Sequence, residues 1–339
     1  LIDTFDRNFE FSVEHVALAK EADVVMIAPA SANVIGKIAN GIADDMLTTT
    51  VMACPCKKIV SPAMNHNMFH NPIVQDNIEK LKHYGYEIVE PAHGMLANGD
   101  MGDGRMPDEE LLFEYIVKEI AFEKDMTGKK VLVTAGATVE AIDPVRFITN
   151  HSSGKMGFAL AKNAMLRGAD VTLVMGKCDS EPPVFVNTVK VQSAKDMYDA
   201  VIERADSMDI IVKAAAVADY RPKNVSSEKV KKQDGNMSIE LERTDDILKT
   251  LGERKNGQFI CGFSMETENM LENSKAKLDK KNLDMIVANN VKVKGAGFGT
   301  DTNVVTIITR NDCRELPIMS KEEVADEILS YIMQLKKEK

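Results

Sequence analysis

Residues 148–165, ITNHSSGKMGFALAKNAM, set an asparagine, a histidine, two serines, a glycine and a lysine directly before an apolar helical pattern. Such a junction can hold an anion. Ser152, Ser153 and Gly154 leave backbone N–H groups open, Lys155 adds charge, and the positive end of the helix dipole points the same way. Plain capping of the helix by Ser152 or Ser153 is the competing reading; it accounts for the serines but not for Asn150 and His151 beside them. Two nucleotide-binding templates fail. A Walker loop needs Gly where Thr149 stands and Ser or Thr where Met156 stands. A dinucleotide fingerprint needs three spaced glycines after its first strand, whereas VLVTAGATVEA offers Gly136 alone, and the second strand ends in Met175-Gly176 rather than in a ribose-binding acid.

A second cluster is KAAAVADYRPKNVSSEKVKKQ, residues 213–233. Small residues at the carboxyl end of a strand leave room where open α/β sheets bind ligands. Asp219, Arg221, Lys229, Lys231 and Lys232 follow, a charge pattern suited to a polyphosphate or, alternatively, to a solvated face. In the first half, APASAN (28–33) places Ser31 and Asn33 at a strand-to-helix turn that a flat ring or phosphate can approach. SPAMNHNM (61–68) ends another strand with Asn65, whose amide both donates and accepts. GDMGDGRM (99–106) reads as a mobile, lid-like loop carrying Arg105. His15 opens a helical pattern, where a structural role competes with a chemical one. The five cysteines are scattered, Cys54-Pro-Cys56 reads as free thiols, and no second CxC or His cluster completes a zinc site.

The elements that must position these residues alternate strand and helix, the pattern of an α/β fold with mostly parallel sheets. ADVVMIAPA, KKIVSP and YEIVEPA are strands of the first half, and NPIVQDNIEKLKHYG and EELLFEYIVKEIAFEKD are helices. MTGKKVLVTAGAT restarts the pattern, which places a boundary near Lys124 to Gly128. The second half runs strand 130–135, helix 155–167, strands VTLVMG and IIVKAAAVA, helix DDILKTLGERK, strands QFICGFSME, LDMIVANN and NVVTIITR, and a last helix ending in KKEK. Domains of this kind open with a βα unit at the ligand phosphate, so such a unit is expected ahead of Leu1. With 339 residues, 44% hydrophobic, the chain can bury real cores. A net charge of -10 argues against nucleic acid, and no apolar run is long enough for a membrane span, so a soluble cytoplasmic protein is expected.

Taken together, HVALAKEADVVMIAPASANVIGKIANGIADDMLTTT, SPAMNHNM, GDMGDGRM, GATVEAIDPVRFITNHSSGKMG, AAVADYRP and KVKK resemble the bifunctional coenzyme A biosynthesis family, phosphopantothenoylcysteine decarboxylase fused to phosphopantothenate–cysteine ligase. The resemblance implies two three-layer α/β domains with mostly parallel sheets. Residues 1–124 would be a flavodoxin/Rossmann-like, FMN-dependent cysteine decarboxylase domain, and residues 125–339 a Rossmann-like ligase domain.

The implied ligase activates the carboxylate of 4'-phosphopantothenate with CTP and Mg2+, giving an acyl-cytidylate that the amine of L-cysteine opens. By the same resemblance Lys229 serves cytidylate formation and Asn150 its conversion to product. Lys213, Ala214, Ala215, Asp219, Asp245, Asp246, Ile247, Leu248, Phe263, Lys277 and Lys281 correspond to nucleotide contacts, and Ser152, Ser153, Gly154 and Lys155 to substrate contacts. In the decarboxylase, His15 matches the active-site histidine and Asn65 the residue that binds the departing carboxylate; Ser31 and Asn33 fall to FMN, and Met64, Met68 and Arg105 to substrate. One departure stands out. The family's proton-donating cysteine before GDxGxGRM is Asn98 here, and a carboxamide is no practical acid at neutral pH. The alternative is therefore a ligase whose flavin-type domain serves as an oligomerisation scaffold; an NAD-dependent oxidoreductase is the rival from another class. Ligase dimers and flavin-domain trimers are the implied assembly.

Overall fold

The structure is a computed structural model that describes residues 14–231, 237–265, 270–289 and 300–337. The chain folds as two compact units, Leu1–Glu123 and Lys124–Lys339. Lys232 of the lysine-rich run, Asn290 of LDMIVANN, and Glu338 and Lys339 of the tail lie outside the described residues.

The first unit runs α1 (Glu14–Glu21), β1 (Val24–Ala30), α2 (Ala32–Ala39), α3 (Met46–Ala53), β2 (Lys57–Pro62), α4 (His66–Phe69), α5 (Pro72–His83), β3 (Glu87–Ile88), β4 (Ala92–Met95), β5 (Met101–Arg105) and α6 (Glu109–Ile120). β1, β2 and β3 pair in parallel in that order. Their apolar side chains pack against helices on both faces, with Ile27, Ile59 and Val60 buried and Val24, Val25 and Ile88 partly so. Ile27 and Val60 pack with Ile35, Val51, Ile78 and Leu81 of the helices on one side, and Ile59 with Leu112 and Tyr115 of α6 on the other. The helix starts are capped as composition dictates: Asp45 and Thr48 form a reciprocal capping box at α3, and Asn71 precedes Pro72 at the first position of α5.

The glycine-rich stretch after β3, expected as a lid-like loop, is a two-stranded antiparallel ribbon of β4 and β5. Its approach to the loop before α4 depends on missing side chains. A Cβ on Gly104 would lie 2.1 Å from the Met64 carbonyl oxygen, and one on Gly102 would lie 2.8 Å from the His66 ring. The Met64 N–H donates to the Gly104 carbonyl at 2.9 Å.

The second unit begins with β6 (Lys130–Ala135), the hairpin β7 (Val139–Ala141) and β8 (Phe147–Thr149), α7 (Lys155–Leu166), β9 (Asp170–Met175), β10 (Asn187–Lys190), α8 (Ala194–Ala205) and β11 (Ile210–Lys213). It continues with the pair β12 (Tyr220–Pro222) and β13 (Leu241–Arg243), α9 (Ile247–Arg254), β14 (Phe259–Met265), α10 (Met270–Lys280) and β15 (Met285–Asn289). It ends with β16 (Thr302–Asn303), β17 (Val305–Ile308), β18 (Cys313–Glu315), β19 (Met319–Ser320) and α11 (Lys321–Lys337). The main sheet has the order β10-β9-β6-β11-β14-β15-β17-β18, parallel through β15 and antiparallel at β17 and β18. Strand order reverses direction between β6 and β11, the switch point where such sheets open a crevice. Gly157 lets α7 lie against β6, since a Cβ there would meet the Ala135 Cβ at 2.5 Å. Buried Arg167 pairs with Asp125 at 2.5 Å and Asp326 at 3.2 Å, tying the end of α7 to α11 and to the start of the unit.

The strand expected over IIVKAAAVA stops at Lys213. Beyond it the backbone is held by other partners: the Ala215 N–H donates to Thr134 Oγ1 at 3.1 Å, that of Ala216 to the Gly136 carbonyl at 2.8 Å, and that of Ala218 to Thr138 Oγ1 at 3.0 Å. No helix of the described residues is long and apolar enough to cross a membrane.

Candidate functional site

Next to the switch point of the second unit a cleft of about 310 Å3 opens at the start of α7 and the carboxyl ends of β11, β14 and β15. It gathers Ser152, Ser153, Gly154 and Lys155 at the start of α7, Lys213 to Ala215 and Asp219 after β11, and Leu248, Phe263, Lys277 and Lys281. An adjoining recess shares Lys213, Asp219, Leu248 and Lys281 and adds Asp245, Asp246 and Ile247. Residues separated widely along the chain thus meet at one crevice. Capping by Ser152 or Ser153 is not how α7 begins. Its N-cap is Gly154 at φ +81°, with no side-chain capping bond, so the serine hydroxyls are not consumed by the helix. A Cβ on Gly154 would come within 2.5 Å of Cys178 Sγ, and one on Gly136 within 2.6 Å of the same atom. Cys178 fills this junction, and burial pushes its thiol up to about 11, which suits packing rather than nucleophilic chemistry.

The cleft is strongly cationic in an acidic protein. Lys155, Lys213, Lys277, Lys281 and Lys321 all line it. Burial pushes the Lys213 ammonium down to about 8; Lys281 and Lys277 add to the effect, and Asp246 and Asp219 oppose it. Burial also acts to raise the Asp246 carboxyl, but the Lys281 ammonium 2.9 Å away and the Lys249 N–H at 3.0 Å hold it below the ordinary range. Lys155 reaches Asp301 at 2.5 Å. Lys321 was missed by sequence reasoning, although a signal existed: it is the first residue of α11, where a cation opposes the helix dipole. Burial depresses its ammonium, and Lys155 does so further.

Asn150 and Lys229 sit differently from the rest. Asn150 is exposed and its Nδ2 donates to the carbonyl of Ala216, a cleft-lining residue, at 3.4 Å. Lys229 is exposed on a loop docked to the 142–146 turn, where the Ser226 N–H donates to the Ile142 carbonyl at 3.0 Å and the Val230 N–H to Asp143 at 3.1 Å. It does not line the cleft.

In the first unit a cavity of about 450 Å3 lies between the end of β2 and the ribbon, lined by Met64, Asn65, Asn98 and Arg105 with Pro29 and Ala63. Asn65 Oδ1 caps α4 by accepting from the Asn67 N–H at 2.9 Å, and Arg105 pairs with Asp108 at 2.8 Å. Asn98 Nδ2 donates to Asp100 at 2.6 Å. Four of the sequence-selected residues meet here. His15 on α1, Met68 on α4, and Ser31 and Asn33 at the start of α2 do not line this cavity. Ser31 accepts from the Val34 N–H as the α2 cap. The sequence reading did not foresee one histidine grouping: the fold brings His66, His70 and His93 around Asp103, beside this cavity. The HNMFH spacing of 66–70 was the available signal.

Fold and sites define a flavoprotein-type α/β unit followed by an α/β unit with an anion-suited cleft. Family models agree: a flavoprotein model matches residues 1–121, and a DNA/pantothenate metabolism flavoprotein C-terminal domain model matches residues 126–335. The coenzyme A biosynthesis bifunctional protein CoaBC of Bacillus subtilis (strain 168) is 49% identical over 340 residues, covering 99% of this chain and 84% of that protein. A cysteine/cysteine sulfinic acid decarboxylase of an unknown prokaryotic organism is 42% identical over 342 residues, covering 99% of this chain and 95% of that protein. The crystal structure of the C-terminal domain of a CoaBC protein aligns at TM-score 0.56 and 46% identity, covering 64% of this chain and 100% of that one. The chain belongs to the family of coenzyme A biosynthesis bifunctional proteins.

Proposed function

We propose that the Lys124–Lys339 unit joins 4'-phosphopantothenate to L-cysteine through an acyl-cytidylate made with CTP and Mg2+, and that the Leu1–Glu123 unit decarboxylates the product with FMN. The observation that carries the reading is the convergence of five lysines on a cleft next to the sheet's switch point. A carboxylate is a poor electrophile. Its attack on the α-phosphorus of the nucleotide expels pyrophosphate and leaves a mixed anhydride, and cations around the phosphates stabilise the charge that develops. Lys213, Lys277 and Lys281, which line the cleft, would hold the triphosphate, and the Asp219 and Asp245 carboxylates at the recess suit a hard cation such as Mg2+. Ser152 to Lys155, with the start of α7, suit the phosphate of the pantothenate substrate. Asn150 is given the role of holding the acyl group for attack by the amine, which displaces CMP. The role of Lys229 in forming the cytidylate rests on the KVKK motif.

In the first unit the cavity's residues fit the flavin chemistry of the family, with a small apolar wall at Pro29 and Ala63 and an amide at Asn65 for the departing carboxylate. FMN, when bound, would supply a reversible two-electron acceptor: the thiol is oxidised to a thioaldehyde so that CO2 can leave, and the electrons return, with a final proton, to the enethiol left behind. Asn65 binds and orients; Arg105 holds the anionic substrate. Asn98 cannot supply the final proton, so a water or another group does. Ligase dimers, flavin-domain trimers and a cytoplasmic setting complete the proposal.

The test is a single incubation with 4'-phosphopantothenate, cysteine, CTP and Mg2+, read by mass spectrometry. Pyrophosphate, CMP and the amide are expected. Lys229→Gln should yield no cytidylate, and Asn150→Asp should accumulate it; normal amide production by both variants refutes the site assignment. A second reading, a ligase with a scaffolding first unit, is favoured by Asn98 alone. A yellow preparation that releases CO2 from phosphopantothenoylcysteine eliminates it.

A further inference from the structure

We propose that His66, His70 and Asp103 form a binding site for a borderline divalent transition ion of the Zn2+ type, with His93 holding the carboxylate in place. His66 opens α4 and His70 ends it, so the two rings lie on the same side of one helical turn, their centroids 4.4 Å apart. Asp103 arrives from β5. Its Oδ2 lies 2.9 Å from His70 Nε2 and 4.0 Å from His66 Nδ1. The three ligand atoms all lie within 4.8 Å of one another, and ligands of a tetrahedral ion at ordinary Zn–N and Zn–O lengths sit about 3.3 Å apart, so the two rings must close on the ion.

The other carboxylate oxygen is engaged from behind. Asp103 Oδ1 lies 2.9 Å from His93 Nδ1 on β4, the arrangement by which an outer partner orients a metal ligand. The Asp103 N–H also donates to His66 Nδ1 at 3.1 Å, a bond that an ion taken at Nδ1 replaces. The fold brings this set together by close approach of backbone: a side chain on Gly102 would strike the His66 ring, and one on Gly104 the Met64 carbonyl. Imidazole nitrogens with one carboxylate select Zn2+, Ni2+ or Cu2+, whereas Mg2+ and Ca2+ take oxygen ligands. The rings and the carboxylate are partly exposed, which leaves solvent for the fourth position. A bound ion clamps the ribbon that carries Asn98 and Arg105 onto α4, directly after Asn65.

The experiment uses the untagged full chain, stripped with a chelator and titrated calorimetrically with Zn2+ alone. Co2+ is added in a parallel sample to read ligand geometry from its visible absorption. One equivalent per chain is expected, with a tetrahedral Co2+ spectrum. His93→Ala should weaken binding about 10–100-fold, the range for an outer partner, and His70→Ala and Asp103→Asn by more. Far-UV circular dichroism checks that each variant folds, with His70→Gln as the replacement for any that does not. Zn2+ should also slow amide hydrogen exchange across residues 92–105. The proposal is overturned if uptake is not saturable, if Mg2+ competes at equal concentration, or if uptake survives His70→Ala and Asp103→Asn and is lost instead on Cys56→Ser.

Discussion

Replacing Lys213 by Gln removes a half-buried cation at the end of β11, and the consequence can be worked out before the measurement. In the free protein burial holds the Lys213 ammonium down to about 8. A bound triphosphate keeps it charged well past pH 9, so nucleotide binding must draw a proton onto whatever fraction of Lys213 is neutral. That fraction is about a tenth at pH 7 and about nine tenths at pH 9. Wild-type affinity for CTP should therefore fall about tenfold between the two, or ~1.4 kcal/mol, beyond any change due to the nucleotide's own ionisation. Lys213→Gln should lose this slope. It should also bind about 10- to 150-fold more weakly at pH 7, corresponding to the ~1.5–3 kcal/mol of a hydrogen bond to a charged group. Calorimetric titration of both proteins with CTP at pH 7 and pH 9 decides it, since the nucleotide's ionisation cancels in the comparison. Equal slopes in the two proteins, or equal affinity at pH 7, would refute the reasoning.

Lys213→Met should stabilise the nucleotide-free protein at neutral pH, read as a raised Tm. The folded state disfavours the ammonium, the unfolded chain keeps its proton between about pH 8 and 10.5, and wild-type stability should rise with pH through that window. Asn98→Cys should raise decarboxylase turnover, measured as CO2 release; an unchanged rate would mean that the family's cysteine position is not needed here. Arg167→Ala removes a buried guanidinium from Asp125 and Asp326; both carboxylates are partly exposed and stay solvated, so the loss should be about 1.5–3 kcal/mol in urea unfolding, the worth of hydrogen bonds to charged groups. Asp45→Ala should cost the first unit about 1 kcal/mol, the worth of a helix cap. The Asp45 carboxyl is held down to about 2 by the Thr48 backbone and side chain and by Lys37, so this contribution is full above about pH 4 and fades as pH falls through 2. A wild-type advantage that persisted unchanged at pH 2 would contradict that cause.

Much of the site was written locally. The small residues of 214–218, the serine-glycine-lysine junction of 152–155 and the Asp245-Asp246 start of α9 carry their chemistry in a few adjacent positions, and the elements bearing them were readable from apolar periodicity. Lys229 and His15 show the limit of motif matching. Each is legible as a motif residue, yet neither lines a cavity described above. The end of β11 at Lys213 was also hidden, because Thr134, Gly136 and Thr138 on another strand and its loop compete for the alanine N–H groups that a longer strand would have used.

What the chain determines by itself is therefore the alternation of strand and helix, the seam between its two units, and which short segments hold polar groups at strand ends, since these follow from local periodicity, capping and turn chemistry. Tertiary structure alone decided that Lys321 joins Lys155, Lys213, Lys277 and Lys281 in one cleft, and that three histidines surround Asp103. Both depend on strand order and on backbones that approach closely at glycines, and no spacing along a sequence encodes a distance across a sheet.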